Sequence, residues 1–270
     1  MSESVRAVDR ALDVLLCFTR QAPELSMTQI AEQVGIHKST VHRLLATLEN
    51  KRFVQRNPDT GMYRLGIRLL QMAYLTLEQN DLRRVATPFL RRLGEQYQEN
   101  IHLAALDDTD VIFMYIIESP QRVKLAAAIG QRLPAFATAS GKAILAFMPE
   151  KIVRRILDRG MPQLTPYTQI SPDNFFRDIE SIKEQGFAIS EQEFEEEINA
   201  VAAPILDFEG QPIASIAVAG PAYRLTHKRM IEIGPIVVAT ARQITREIAI
   251  GAIPLVNSAI NKPVSIENGK

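Results

Sequence analysis

The 270-residue sequence contains no tryptophan, one cysteine and four histidines. No stretch of it approaches the roughly 18 consecutive apolar residues of a membrane span. A lone Cys17 excludes an intramolecular disulfide framework and fits a reducing cytoplasm. Its apolar helical surroundings point to a packed thiol rather than a reactive one. The opening MSESVRAVDRAL places acids where a secretory signal carries an apolar core, so export is not expected. No pair among His37, His42, His102 and His227 has zinc-ligand spacing or a cysteine partner, so neither a metal nor a cofactor is expected. A phosphate-binding loop is missing as well, because Gly141-Lys142 lacks the upstream glycine and is followed by Ala143. An enzyme is therefore not expected.

What is present is the makings of a core. Apolar residues form 46% of the chain and charged ones 23%, which describes a globular protein of two domains at this length. Formal net charge is zero, which argues against a non-specific polyanion binder. The distribution says more than the sum. Between residues 37 and 68, seven basic residues (Lys38, Arg43, Lys51, Arg52, Arg56, Arg64 and Arg68) stand against Glu49 and Asp59, a local excess of +5. A basic patch on a neutral chain is a localised footprint for phosphate.

The patch sits in a recognisable grammar. Val5, Val8, Leu12, Leu15 and Leu16 follow the spacing of an amphipathic helix. In LSMTQIAEQV, Ser26 and Gln29 form a capping-box pattern that starts a second helix, and Gly35 can end it in the left-handed conformation. A third helix is predicted from near His37 to Glu49, with Val41, Leu44, Leu45 and Leu48 facing a core. The β-prone runs FVQR and MYRL then flank the turn formers NPDTG as a hairpin. Helix, turn, helix and hairpin in that order predict a winged helix-turn-helix. Its third helix enters the major groove of duplex DNA. Lys38, Ser39, Thr40, His42 and Arg43 supply the donors that base edges and phosphates accept, and Arg56 and Arg64 on the wing reach the adjacent backbone or minor groove. An ordinary solvated helix face is the competing explanation, and it leaves the cap, glycine turn, hairpin and charge cluster as coincidence.

Residues 66–79 resume helical spacing, with Leu69, Leu70, Ala73 and Leu77 on one apolar face suited to a homodimer contact. A further helix follows, expected to begin late or kink at Pro88. From about residue 100 the pattern mixes strands with helices. IHLAAL, VIFMYII and VKLAAAIG read as strands, and ASGKAILAFM as a loop entering a helix. EKIVRRILDRG, NFFRDIESIKEQG and THKRMIEIGPIVVATARQITREIAIG read as helices, and AVAAPILDFEGQPIASIAVAGP as a strand pair turning at Asp207–Gly210. The acidic run EQEFEEE reads as a solvated loop, with cation binding as the alternative. The fold class is α+β. Residues 1–66 form the winged helix-turn-helix, 67–80 a linker helix, 81–250 an α/β domain, and 251–270, which lack periodicity, a flexible tail.

The order of these motifs resembles the IclR family of bacterial transcription regulators. The stretches that carry the likeness are RALDVLLCF, LSMTQIAEQVGIHKSTVHRLLATLENKRFVQRNPDTGMYRLG, GQRLPAFATASGKAILA and VAAPILDFEGQPIASIAVAGPAYRLT. The resemblance implies a GAF-like effector-binding domain and assembly as a dimer or dimer of dimers. It also implies a promoter operator held under the control of a small organic acid, as a repressor of a catabolic operon or, alternatively, an activator. Carried over residue by residue, it places the effector against Ala139, Ser140 and Gly141 at a helix start, where free amides seat an anion. Leu125, Leu133, Ser190, Ile198, Ala200, Ala217 and Ala219 complete that set. The sequence departs from relatives whose pockets are lined with polar groups. Ala200, Ala217 and Ala219 offer no side-chain hydrogen bond, and Glu197 stands where a glycine is usual. An acid with an apolar body and one carboxylate, aromatic or branched, fits such a lining better than a very small polar acid. Arg122 or Lys124 is placed to add a counter-charge.

Overall fold

Ser26 and Gln29 cap each other. In the computed structural model of the chain, which describes residues 5–19, 21–78 and 81–250, Gln29 Oε1 accepts from the Ser26 amide at 2.9 Å, and Ser26 Oγ accepts from the Gln29 amide at 3.3 Å. Helix α2 (Met27–Val34) starts there and ends at Gly35, whose φ of 68° is the left-handed conformation a Cβ disfavours. Helices α1 (Arg6–Leu16) and α3 (Lys38–Asn50) pack with it around Val14, Ile30, Val41 and Leu45, all fully buried. Cys17 is half-buried against this core, and its Sγ lies 3.3 Å from the Asp13 carbonyl oxygen.

The hairpin pairs β2 (Val54–Arg56) with β3 (Tyr63–Leu65) in antiparallel register. Its turn is held by Asn57, whose side-chain oxygen accepts from the Asp59 amide at 3.0 Å. A two-residue strand, β1 (Glu24–Leu25), adds to the other edge of β3. It goes unread in the sequence because two residues carry no periodicity. Helix α4 (Ile67–Glu78) follows. Leu69 is half-buried and Leu70 and Ala73 are exposed, while the Leu77 side chain lies outside the described residues.

The chain divides into two compact units between Asn80 and Asp81. In the second, α5 runs from Asp81 to Tyr97 with Pro88 inside it, so the expected late start is not found. The Thr87 hydroxyl, next to the proline, donates to the Arg83 carbonyl one turn back at 2.7 Å. Then come β4 (Asn100–Asp107), β5 (Asp110–Ile117), β6 (Arg132–Pro134), a 3₁₀ turn at Ala135–Ala137, and helices α6 (Ala139–Leu145), α7 (Glu150–Leu157) and α8 (Pro172–Gln185). Strands β7 (Ala188–Glu191), β8 (Ile198–Leu206) and β9 (Pro212–Pro221) lead into α9 (His227–Ile250). All six strands form one antiparallel sheet in the order β6-β5-β4-β9-β8-β7. Residues 251–270, expected as a tail, lie outside the described residues.

Alternation along the strands explains the two layers. Ile101, Leu103, Val201, Ile216 and Val218 point to one face, where they pack with Leu90 of α5 and Met230 and Val237 of α9. Ala104, Ala200, Ala202 and Ala217 point to the other, beneath α6 and α8. Large side chains fill the first face and small ones line the second.

One expected strand is absent. VKLAAAIG has no ladder partner, because the chain there crosses the sheet face rather than joining its edge. Asn100 pins it: the side-chain amide donates to the Leu125 carbonyl at 3.2 Å, and its oxygen accepts from the Ser119 amide at 2.8 Å. At the far end Gly130 and Gln131 exchange backbone bonds with Phe113 at 2.8 and 3.0 Å.

Candidate functional site

On the first unit, α3 buries Val41, Leu45 and Leu48 and half-buries Leu44. The opposite face carries Lys38, Ser39, His42 and Arg43 into solvent, with Thr40 half-buried between. His37 caps this helix, a role the sequence did not signal because the usual caps are short hydroxyls and carboxamides. Its Nδ1 accepts from the Ser39 amide at 3.3 Å and lies 2.8 Å from the Ser39 hydroxyl. The wing arginines are exposed and braced. Arg56 Nε donates to the Gly61 carbonyl at 3.3 Å, its guanidinium 5.8 Å from the Tyr63 ring, and Arg64 donates to Gln55 at 3.3 Å.

The second unit holds a cavity of about 300 Å³ above the small-residue face of the sheet. Leu125, Leu133, Ala139, Ser140, Ser190, Ile198, Ala200, Ala217 and Ala219 all border it. Gly141 does not. Its amide donates to Thr138 Oγ1 at 3.1 Å, and a Cβ there would sit 2.1 Å from the Ala135 carbonyl oxygen. Glycine is required at this position to let α6 approach the preceding turn, not to face a ligand. Residues 139–141 are already the first turn of α6, not a loop ahead of it.

Sequence reasoning missed part of the wall. His102, Phe113, Gln131, Thr138, Phe194 and Glu195 also border the cavity, as does Lys124, whereas Arg122 is exposed and does not. Lys124 pairs with Glu118 at 2.5 Å. The hydroxyl of Ser190 is engaged, donating to the Ala137 carbonyl at 3.2 Å. His102 is 4% exposed and stacks at a tilt on Phe113, with 4.4 Å between ring centroids. Burial pulls its pKa down to about 4, so the ring is neutral at physiological pH.

The acidic turn between β7 and β8 is not simply solvated. Glu195, Glu196 and Glu197 are exposed, but Glu193 turns inward and pairs with Lys142 of α6. Burial pushes the Glu193 carboxyl above its usual range, against the pull of Lys142. Thr165 and Thr168 donate their hydroxyls to the Gln192 and Glu193 carbonyls, each at 2.7 Å. Glu197 adopts a φ of 62°, the left-handed region that glycine enters freely and a Cβ disfavours. Among the described residues, no cluster of three His, Cys, Asp or Glu side chains is placed to hold a metal.

Residues 7–58 match the IclR helix-turn-helix domain, and residues 74–246 match the bacterial transcriptional regulator IclR C-terminal domain. The chain is 30% identical over 244 residues to the transcriptional repressor IclR of Escherichia coli strain K12, covering 89% of each chain. It is 32% identical over 214 residues to the HTH-type transcriptional regulator XynR of the same strain, covering 79% of this chain and 85% of that one. Among solved structures, an IclR transcriptional regulator from Alicyclobacillus acidocaldarius superposes with a TM-score of 0.81 at 26% identity, over 90% of this chain and 99% of the other. An IclR homolog from Microbacterium hydrocarbonoxydans, solved with 4-hydroxybenzoate, gives 0.78 at 25% identity, over 89% and 99%.

Proposed function

The chain belongs to the IclR family of bacterial transcriptional regulators, and on that premise we propose a repressor whose hold on its promoter is set by a small organic acid. It is a ligand-responsive DNA-binding regulator and not an enzyme. In our reading Lys38, Ser39, Thr40, His42 and Arg43 read the major groove, while Arg56 and Arg64 fix the wing on the backbone. Repression is the favoured sign because curated relatives such as the acetate operon repressor of Salmonella typhimurium carry it in their names.

The observation that carries the ligand half is convergence. Nine residues from separate strands, a helix and a connecting segment border one cavity whose floor is alanine. The floor accepts an apolar body, and the first-turn amides at Ala139 and Ser140, which a helix leaves without internal partners, can donate to a carboxylate. The relative bound to 4-hydroxybenzoate supports an acid with an aromatic body. No helix among the described residues is long and apolar enough to cross a membrane. As a DNA-binding regulator must meet its operator, we propose the cytoplasm as its location.

We also read the protein as a homodimer or a dimer of dimers. Val5, Val8, Leu12 and Leu16 of the first helical segment are 53–77% exposed, and Ile67, Leu70 and Leu75 of α4 are 55–65% exposed. Apolar stripes of this size on monomers mark association surfaces. Two-fold protein symmetry would then meet a palindromic operator.

Mobility shift on the DNA upstream of the protein's own gene tests the proposal. The expected result is a retarded complex that weakens steeply with salt, outlasts random-sequence competitor, and changes affinity with an aromatic acid. Equal affinity for random DNA would overturn it, and sedimentation as a monomer at tens of micromolar would overturn the dimer.

A further inference from the structure

Four buried side-chain polar atoms among the described residues have no hydrogen-bond partner: His102 Nε2, Glu193 Oε2, Asn199 Oδ1 and Ser215 Oγ. Only His102 also borders the cavity. A buried orphan is costly, so a histidine kept in an alanine-lined space calls for a use.

The register fixes where that use lies. His102 on β4 pairs directly with Ala217 on β9, while Ala219, Ala200 and Ser190 pair in one row across β9, β8 and β7. His102 and Ser190 therefore stand at opposite ends of the alanine floor, three strand spacings or about 14 Å apart across the sheet. Ser190 bonds the Ala137 carbonyl, so its end of the floor is the end where the chain turns into α6. A ligand lying on that floor would extend over Ala200, Ala217 and Ala219 toward His102 and Phe113.

We propose that His102 is a specificity residue that hydrogen-bonds a hydroxyl on the ligand, so that the cavity selects a hydroxylated aromatic acid over its unsubstituted parent. This deepens the ligand reading above and rests on it. Beside His102 the wall is Phe113 and Ala217, so a hydroxyl there adds a polar group without a charge, whereas a second carboxylate or an amine would bring a full charge against those apolar side chains. The same apolar surroundings keep the imidazole neutral, with one nitrogen a donor and the other an acceptor. A hydroxyl both donates and accepts, so it suits either tautomer. The tilted Phe113 ring beside His102 and the low alanine floor favour a flat body over a branched one.

Calorimetry with matched pairs tests this: benzoate against 3- and 4-hydroxybenzoate, and phenylacetate against 4-hydroxyphenylacetate. Wild type should bind the better hydroxylated member at least about ten-fold more tightly than its parent, because the parent leaves the imidazole unpaired. His102→Phe should level the pair while still binding the parent acid, and His102→Gln should keep part of the preference. A histidine side-chain NMR spectrum of the wild type needs no variant to fold. His102 should shift its nitrogen resonances with the hydroxylated acid and not with the parent. Equal binding within every pair by wild type, or an undiminished preference in His102→Phe, would overturn the assignment while leaving the organic-acid reading standing. Binding of no aromatic acid at all would overturn both.

Discussion

The ammonium of Lys142 and the carboxylate of Glu193 meet inside the second unit, their side chains only 6% and 11% exposed. The contact ties α6, whose first turn borders the cavity, to the acidic turn that contributes Phe194 and Glu195 to the same wall. Lys142 meets Oε1, and Glu193 Oε2 has no hydrogen-bond partner. A buried ion pair thus helps to join two walls of one cavity.

Breaking that pair on one side should cost more than removing it. Lys142→Met leaves a buried carboxylate uncompensated and should destabilise by about 3–5 kcal/mol. Burial already holds Glu193 above its normal range with Lys142 present, so the ionised pair gains little over an apolar one. The double variant Lys142→Met/Glu193→Leu should therefore recover most of the loss. Urea titrations of the four proteins measure the coupling, and additive losses would show the two side chains to be independent.

His102 should make the fold acid-sensitive in a defined window. Its folded pKa of about 4 lies below the ordinary 6.5, so the unfolded chain binds the proton first as pH falls. The contribution is complete above about 6.5 and is lost as pH drops toward 4. The separation corresponds to about 3 kcal/mol. Denaturation at pH 7 and pH 4.5 should show a larger loss for wild type than for His102→Phe. Identical slopes would place the acid sensitivity elsewhere.

The first unit is legible in the sequence because its signals are local: a capping box, a glycine turn, a hairpin with its turn formers. β1 escapes because its two residues are set by pairing with Tyr63 and Arg64. In the second unit, IASIAVAG reads as part of a strand pair, and of the positions the resemblance carries over all but Gly141 border the cavity. The resemblance does not foretell that residues 123–130 cross the sheet face, since their β-prone composition is overridden by anchors at Asn100 and Phe113. Nor can a run of glutamates announce which member turns inward. Glu193 does so because Lys142 waits there, far away in the chain.

Arg43 and Arg56 should separate base reading from phosphate grip. Arg43 is exposed on α3, and Arg56 is folded against the wing turn at Gly61. Arg43→Ala should cost about 1–3 kcal/mol on the operator and little on random DNA. Arg56→Ala should weaken both alike and reduce the salt slope by about one. Anisotropy titrations over a range of salt would decide it. A uniform loss from Arg43→Ala would remove that residue from the base-reading set.

Ala217 should be the position where the ligand response can be removed without touching DNA binding. It lies on the cavity floor between His102 and Ala202 in the strand ladder and is 2% exposed. A leucine there would project its added carbons up from the sheet into the cavity, because neighbours at Ala139 and Ala200 leave that space open. Overpacking costs about 1–3 kcal/mol where no room exists, and less where a cavity takes the new atoms, so the domain should stay folded. The winged unit has its own core and keeps α3 and the hairpin intact. Ala217→Leu should therefore bind operator with wild-type affinity while losing the acid-dependent change, a coupling on the order of 1–3 kcal/mol. Mobility shift with and without 4-hydroxybenzoate reads both properties from one gel. A variant that still responds would show that the ligand lies off this floor. If operator binding is lost together with the response, the substitution has damaged more than the cavity.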